Sequence, residues 1–109
     1  MRRGTTPDYL LTVAGFDLTA CAVFVTLAQY SKNITLTGER LLIAYDDKAA
    51  MSSIVFNLTQ DETLSLSSGN VEIQVRFIDG DGTAQATEIK SIPVLPILFE
   101  EVIAYGDGD

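Results

Sequence analysis

The sequence predicts an all-β fold: an antiparallel immunoglobulin-like β-sandwich of seven or eight strands with one short helical turn near 59–64. Three observations predict it. Apolar residues alternate with a period of two along much of the chain. Clusters of turn-forming residues interrupt that alternation at intervals of roughly ten residues. Helical periodicity is nearly absent. A small barrel meets the same spacing and stands second. The Cys-Trp-Cys core of antibody domains is missing, so the likeness is one of architecture only.

Taken in order, Tyr9 to Ala14 reads as a short strand with Tyr9, Leu11 and Val13 on one face, and Gly15-Phe16-Asp17-Leu18 then turns the chain. Ala20 to Tyr30 is the long apolar run. Its β-branched Val23, Val25 and Thr26 and its aromatic Phe24 favour a strand over a buried helix. Cys21, Val23, Val25 and Leu27 form one face and Ala22, Phe24, Thr26 and Ala28 the other, which predicts a central strand covered on both sides. Lys32 to Thr37 follows with Ile34 and Leu36, then Arg40 to Tyr45 with Leu41, Ile43 and Tyr45 on one parity. Asp46-Asp47-Lys48-Ala49-Ala50 joins this to Met51–Thr59, where Ile54, Phe56 and Leu58 face inward and Val55 and Asn57 outward.

At Thr59-Gln60-Asp61-Glu62-Thr63 the threonine hydroxyl and the glutamate three residues on make a capping box, so a helical turn starts there. Asp61 and Glu62 sit where the helix dipole favours negative charge. Val71 to Ile78 is the clearest strand: Val71, Ile73, Val75 and Phe77 share one parity, Glu72, Gln74 and Arg76 the other. Asp79-Gly80-Asp81-Gly82 closes a hairpin onto a weaker return strand, Thr83 to Ile92.

The chain has 109 residues, enough for a single domain spanning 1–109. Seven Lys and Arg against 15 Asp and Glu give a net charge of −8, which leaves no footprint for a phosphate backbone and argues against nucleic acid. There is no His, no Trp and one Cys. That removes His-based acid–base catalysis, Cys/His zinc sites and an internal disulfide. No apolar run approaches the roughly 20 residues that span a bilayer. After Arg2 and Arg3, Thr5, Thr6, Pro7 and Asp8 stand where a signal peptide would place its apolar segment. No membrane insertion, cofactor or metal is expected.

Individual motifs read as structure. Asp79-Gly80-Asp81-Gly82 fails as a calcium loop, because Ala84 and Lys90 occupy the positions that need Gly and Glu. The pairs Asp46-Asp47, Asp61-Glu62 and Glu100-Glu101 are neighbours in sequence, not carboxyls facing across a cleft. Cys21 reads as a packed core thiol with no basic residue near it in sequence. Asn33-Ile34-Thr35 and Asn57-Leu58-Thr59 fit the glycosylation sequon, which means little without a signal peptide.

The informative residues are apolar ones out of place. Phe24 and Ile78 fall on the parity opposite the core-facing set of their strands, where they mark an interface or are covered by a loop or the C-terminal segment. Ile92-Pro93-Val94-Leu95-Pro96-Ile97-Leu98-Phe99 is strongly apolar, yet its prolines confine it to a sheet edge, a strand start or a bulge. Two readings stay open. Segment 92–109 is an arm whose Val94, Leu95, Ile97, Leu98 and Phe99 dock on a neighbouring subunit, or residues 92–105 form the last strand of their own domain. The basic Arg2 and Arg3 would meet the acidic end at Glu100, Glu101, Asp107 and Asp109.

Met1-Arg2-Arg3-Gly4-Thr5-Thr6-Pro7, Leu58-Thr59-Gln60-Asp61-Glu62-Thr63, Val71-Glu72-Ile73-Gln74-Val75-Arg76 and Ala86-Thr87-Glu88-Ile89 together resemble short prophage-encoded proteins found among tail and baseplate genes in phages of Gram-positive bacteria. More distantly the chain is similar to the N-terminal β-sandwich domain of upper baseplate proteins. The resemblance covers most of the chain and includes no catalytic motif. It implies a non-enzymatic structural protein of a phage tail or baseplate, made in the bacterial cytoplasm and residing in the virion. Its expected partners are further copies of itself, as a homo-oligomer, or other tail and baseplate proteins. Upper baseplate proteins continue into long C-terminal regions, whereas the 109 residues here make one domain, so a role in holding receptor-binding proteins is not expected from the resemblance. The alternative is a carbohydrate- or host-surface-binding sandwich. Without Trp it would rely on scattered Tyr9, Tyr30, Tyr45 and Tyr105.

Overall fold

The computed structural model of the chain describes residues 1–106. Among them, eight strands build an all-β antiparallel sandwich of two sheets. The strands are β1 (Asp8–Ala14), β2 (Ala22–Gln29), β3 (Lys32–Thr37), β4 (Leu42–Asp46), β5 (Met51–Asn57), β6 (Gly69–Ile78), β7 (Ala84–Ala86) and β8 (Lys90–Val94). One sheet has the order β1-β5-β4; the other runs β3-β2-β6, with β7 and β8 sharing the far edge of β6. A single short helix, α1 (Gln60–Ser65), joins β5 to β6. The shape is elongated, 51 × 30 × 22 Å with a radius of gyration of 15.7 Å, against about 13 Å for a compact hundred-residue domain.

The core lies between the sheets and follows the alternation in the sequence. Val71, Ile73, Val75 and Phe77 of β6 are all buried, and they meet Val23, Val25 and Leu27 of β2 across the ladder. Val13, Ile54 and Phe56 face them from the smaller sheet, and Leu18, Leu58 and Leu66 close the ends. Tyr9 stacks on Phe56 with ring centroids 5.5 Å apart. A one-residue slip of β6 would turn its four apolar side chains to water, so burial fixes the register.

Three buried polar side chains each hold a loop. Ser52 Oγ accepts from Leu18 N–H at 2.9 Å and donates to Phe16 O at 2.6 Å, fixing the turn after β1. Gln29 donates to Ser67 O and accepts from Ser67 N–H, at 2.7 and 2.6 Å, fastening the loop before β6. Thr63 Oγ donates to Thr5 O at 2.8 Å, tying α1 to the N-terminal segment. Each would cost stability if left unpaired in the interior.

Four local expectations need correction. β2 is central between β3 and β6, but Ala22 and Phe24 on its outer face are exposed, because only one sheet packs against it. Arg40 belongs to a 3-10 turn, Gly38–Arg40, rather than a strand; Gly38 at φ +56° redirects the chain there. A second 3-10 turn, Leu18–Ala20, follows β1, with Asp17 accepting from Thr19 N–H. The return strand after the hairpin is split. Arg76 pairs with Ala86 and Ile73 with Lys90, so Glu88 and Ile89 together oppose Gln74. That extra residue is a β-bulge. Thr87 bridges the break, its N–H donating to Val75 O and its Oγ1 accepting from Val75 N–H.

The capping box forms as the sequence predicts. Thr59 Oγ1 accepts from Glu62 N–H at 3.2 Å, and Glu62 Oε1 accepts from Thr59 N–H at 2.8 Å. Arg40 adds a two-pronged contact to both Glu62 oxygens, at 3.0 and 2.6 Å, and donates to Asn57 O. Burial pushes the Glu62 carboxyl up, but the hydrogen bonds from Arg40 and the Thr59 backbone outweigh it and leave it below the ordinary glutamate value. A lowered folded value means the stabilisation is complete above the unfolded value and is lost as pH falls through the folded one. Glu62→Gln should therefore cost about 1 kcal/mol at neutral pH, a modest figure because Arg40 is partly solvated. In urea titrations at several pH values, that gap should narrow as the pH drops through the carboxylate range.

Candidate functional site

The C-terminal segment divides into a part that belongs to the core and a part that does not. Val94 is 3% exposed and packs in the core from β8, which corrects its assignment to an interface. The cause is the bulge: its extra residue shifts the parity, so that Ile92 pairs with Val71 and Val94 with Gly69 on the inward side. Beyond Val94 the chain leaves the sheet. Leu95 is tied through its main chain, its N–H donating to Met1 O at 2.7 Å and its carbonyl accepting from Arg3 N–H at 3.0 Å. Ile97 is half-buried, whereas Leu98, Phe99, Val102, Ile103 and Tyr105 are exposed, Leu98 completely.

This exposed segment is held in position. Arg2 Nη1 donates to Pro96 O at 2.8 Å. Arg3 forms an ion pair with Glu100, and its other nitrogens donate to Leu66 O and Leu64 O at the C-terminal end of α1. Carbonyls at a helix end are a natural site for a guanidinium. Gln60 grips the Ile103 main chain from both sides, donating to its carbonyl and accepting from its N–H, each at 2.8 Å. The expected meeting of the basic start with the acidic end thus occurs within one chain, at Arg3 and Glu100. Glu101 is exposed, and Asp107 and Asp109 lie outside the described residues.

Phe24 and Ile78 occupy one patch on the outer face of the larger sheet. Phe24 stands opposite Arg76, and Ile78 opposite Ala22 and Ala84. With Arg76, Phe77 and Ala84 they line a cavity of about 320 Å³. None of the described residues of the C-terminal segment lines this patch. β8 pairs with the Gly69 end of β6 and Ile78 is at the other end, roughly 30 Å away at strand rise.

A second apolar row was missed by the sequence reading. Leu10, Val55 and Leu42 sit side by side across the outer face of the smaller sheet, 63%, 38% and 71% exposed. The signal was present in the parity of Leu10 and Leu42. It was masked because each adjoins an inward leucine, Leu11 or Leu41.

A groove of about 630 Å³ runs between β1 and the bulged edge of the larger sheet. Leu11, Val13, Ile73 and Val75 are among its lining residues, with Thr87, Glu88 and Lys90 opposite β1. Among the described residues, β1 pairs only with β5, so its other edge is open.

The remaining candidates act structurally. Asp79 Oδ1 accepts from Asp81 and Thr83 N–H at 2.9 and 3.0 Å, which builds the hairpin turn. Asp46 Oδ1 caps Lys48 N–H at 3.0 Å, and Glu62 and Glu100 are taken up by arginines. Cys21 packs on the rim of the core rather than inside it. Burial, and then the charges of Asp79 and Asp17, push its thiol up, away from the reactive thiolate. The tyrosines form no common platform: Tyr9 stacks inside, Tyr30 turns the β2–β3 hairpin at φ +53°, Tyr45 lies on β4 and Tyr105 beyond β8. No family model matches the chain, and no curated protein matches it.

The division at Val94 is directly measurable. Val94→Ala should cost about 2 kcal/mol for the lost core volume. Leu98→Ala, with a fully exposed side chain, should change stability by less than about 0.5 kcal/mol. Denaturant titration of both variants checks this.

Proposed function

We propose that this chain is a non-enzymatic structural protein of a phage tail or baseplate, one that assembles through open sheet edges and its C-terminal arm. The single observation that carries the assembly role is the arm itself. Five large apolar side chains, Leu98, Phe99, Val102, Ile103 and Tyr105, stand in water on a segment that three separate anchors hold in place. Exposed apolar side chains on an anchored segment gain most by association, because their burial removes area from water at little further ordering cost. The outer-face rows at Phe24 and Ile78 and at Leu10, Val55 and Leu42 supply further contact area.

The virion setting comes from the resemblance of the opening heptapeptide, the capping-box stretch and the β6 sequence to prophage tail-region proteins. The chemistry supports a structural role: one member of each acidic pair, Asp46, Glu62 and Glu100, serves a cap or an ion pair, and the thiol is shifted away from reactivity.

The test is mass in solution over a concentration series. The full chain should associate as concentration rises, and a chain ending at Leu95 should remain a monomer with its core intact. A full chain that stays monomeric at the highest concentration, or a truncated chain that associates as strongly, defeats the proposal.

A further inference from the structure

We propose that the groove beside β1 receives the C-terminal segment of a second copy of this chain, which adds as an extra strand to the open edge of β1. This deepens the assembly role above and rests on it.

The open edge can be read residue by residue. Leu58 N–H donates to Pro7 O and Gly15 N–H donates to Ala50 O, at the two ends of the β1–β5 ladder. Alternate residues of a strand turn both main-chain groups the same way. Tyr9, Leu11 and Val13 therefore bond to β5, and Asp8, Leu10, Thr12 and Ala14 present N–H and C=O outward, beside the groove. The edge lacks the usual protection: β1 has no lysine, no proline and no bulge along these residues.

The space beside that edge suits one strand. Opposite β1 the larger sheet continues past β6 to Thr87 and Lys90, so the smaller sheet is one strand short there. A two-fold pairing of β1 with another β1 would drive the second copy's own Thr87–Lys90 stretch into the same space. A single arm, straightened at the bends it makes at Leu98 and Glu101, brings no such obstacle.

Charge selects the occupant. The bulge places Lys90 opposite Ile73 on the inward parity, and Lys90 lines the groove together with Glu88. Among the described residues no carboxylate lies within ion-pair distance of Lys90. Glu88 shares the groove without reaching ion-pair distance of Lys90, so a neutral strand entering here would cover that cation with no partner in contact, whereas a carboxylate on the strand would supply one. The arm carries Glu101 on the same parity as Phe99, Ile103 and Tyr105. Turned inward, that face offers three apolar or aromatic groups to the groove and one carboxylate to Lys90. No residue from 95 to 105 lines the groove of its own chain, because the contacts at Met1, Arg3 and Gln60 hold the segment elsewhere. Arm into groove is a head-to-tail contact, which builds rings or open filaments.

Amide hydrogen exchange on the full-length chain at low and high concentration tests the site. On association, exchange at Leu10, Thr12 and Ala14 should slow at least about ten-fold, while Tyr9, Leu11 and Val13 are slow at both concentrations. Association without slowing at those three amides overturns this inference and leaves the assembly role standing. A chain that never associates defeats both. Cross-linking identifies the occupant, with Cys21→Ser in every chain. A Thr12→Cys chain mixed with a Val102→Cys chain should give a cross-linked heterodimer. A Thr12→Cys chain that cross-links to itself equally well points to paired β1 strands and overturns the arm.

Discussion

The fold is organised by the pairing of β6. This ten-residue strand meets β2 along one edge and both β7 and β8 along the other, and it supplies four buried side chains to the core. No single partner follows its second edge along its whole length, because the bulge at Glu88 and Ile89 breaks the return strand opposite Gln74. The consequences spread outward. The shift of parity sends Ile92 and Val94 inward and brings Lys90 to the groove. One inserted residue thus sets the C-terminal core and the charge inside the groove.

The ends of the chain depend on a different device, directional hydrogen bonding. Arg3 gathers α1, the N-terminal segment and the C-terminal arm at one guanidinium, whose planar fork addresses several oxygens at once. Gln60 adds a second grip, bonding the main chain of Ile103 as a neighbouring strand would. These contacts give the arm a defined path without burying it. A segment placed in this way keeps its apolar surface available while losing part of the freedom that association would otherwise have to remove.

Two kinds of surface follow. The outer faces carry apolar rows at Phe24 with Ile78 and at Leu10, Val55 and Leu42, which are non-directional and suit broad packing. The edge of β1 carries main-chain donors and acceptors, which are directional and fix register. A subunit assembling in the proposed way gains from having both, since apolar area supplies most of the attraction and the strand edge supplies orientation.

The strands, the inward set of each strand and the capping box were legible in the sequence, because each is governed by neighbours within a few residues. Val71 to Phe77 alternates visibly, and Thr59 and Glu62 sit at the spacing their reciprocal bonds require. Val94 and Leu98 look alike in sequence; only the bulge, several residues upstream, separates a core side chain from a solvated one. Lys90 as a groove lining, Leu10 and Leu42 as one row, and Arg3 as the meeting point of three segments depend on pairings between residues far apart in the chain. Periodicity reports which side of a strand is dry, since that is a local property of the pleat. Which strand lies beside it, and which edge is left without one, follows from the packing of both sheets together and is decided only in three dimensions.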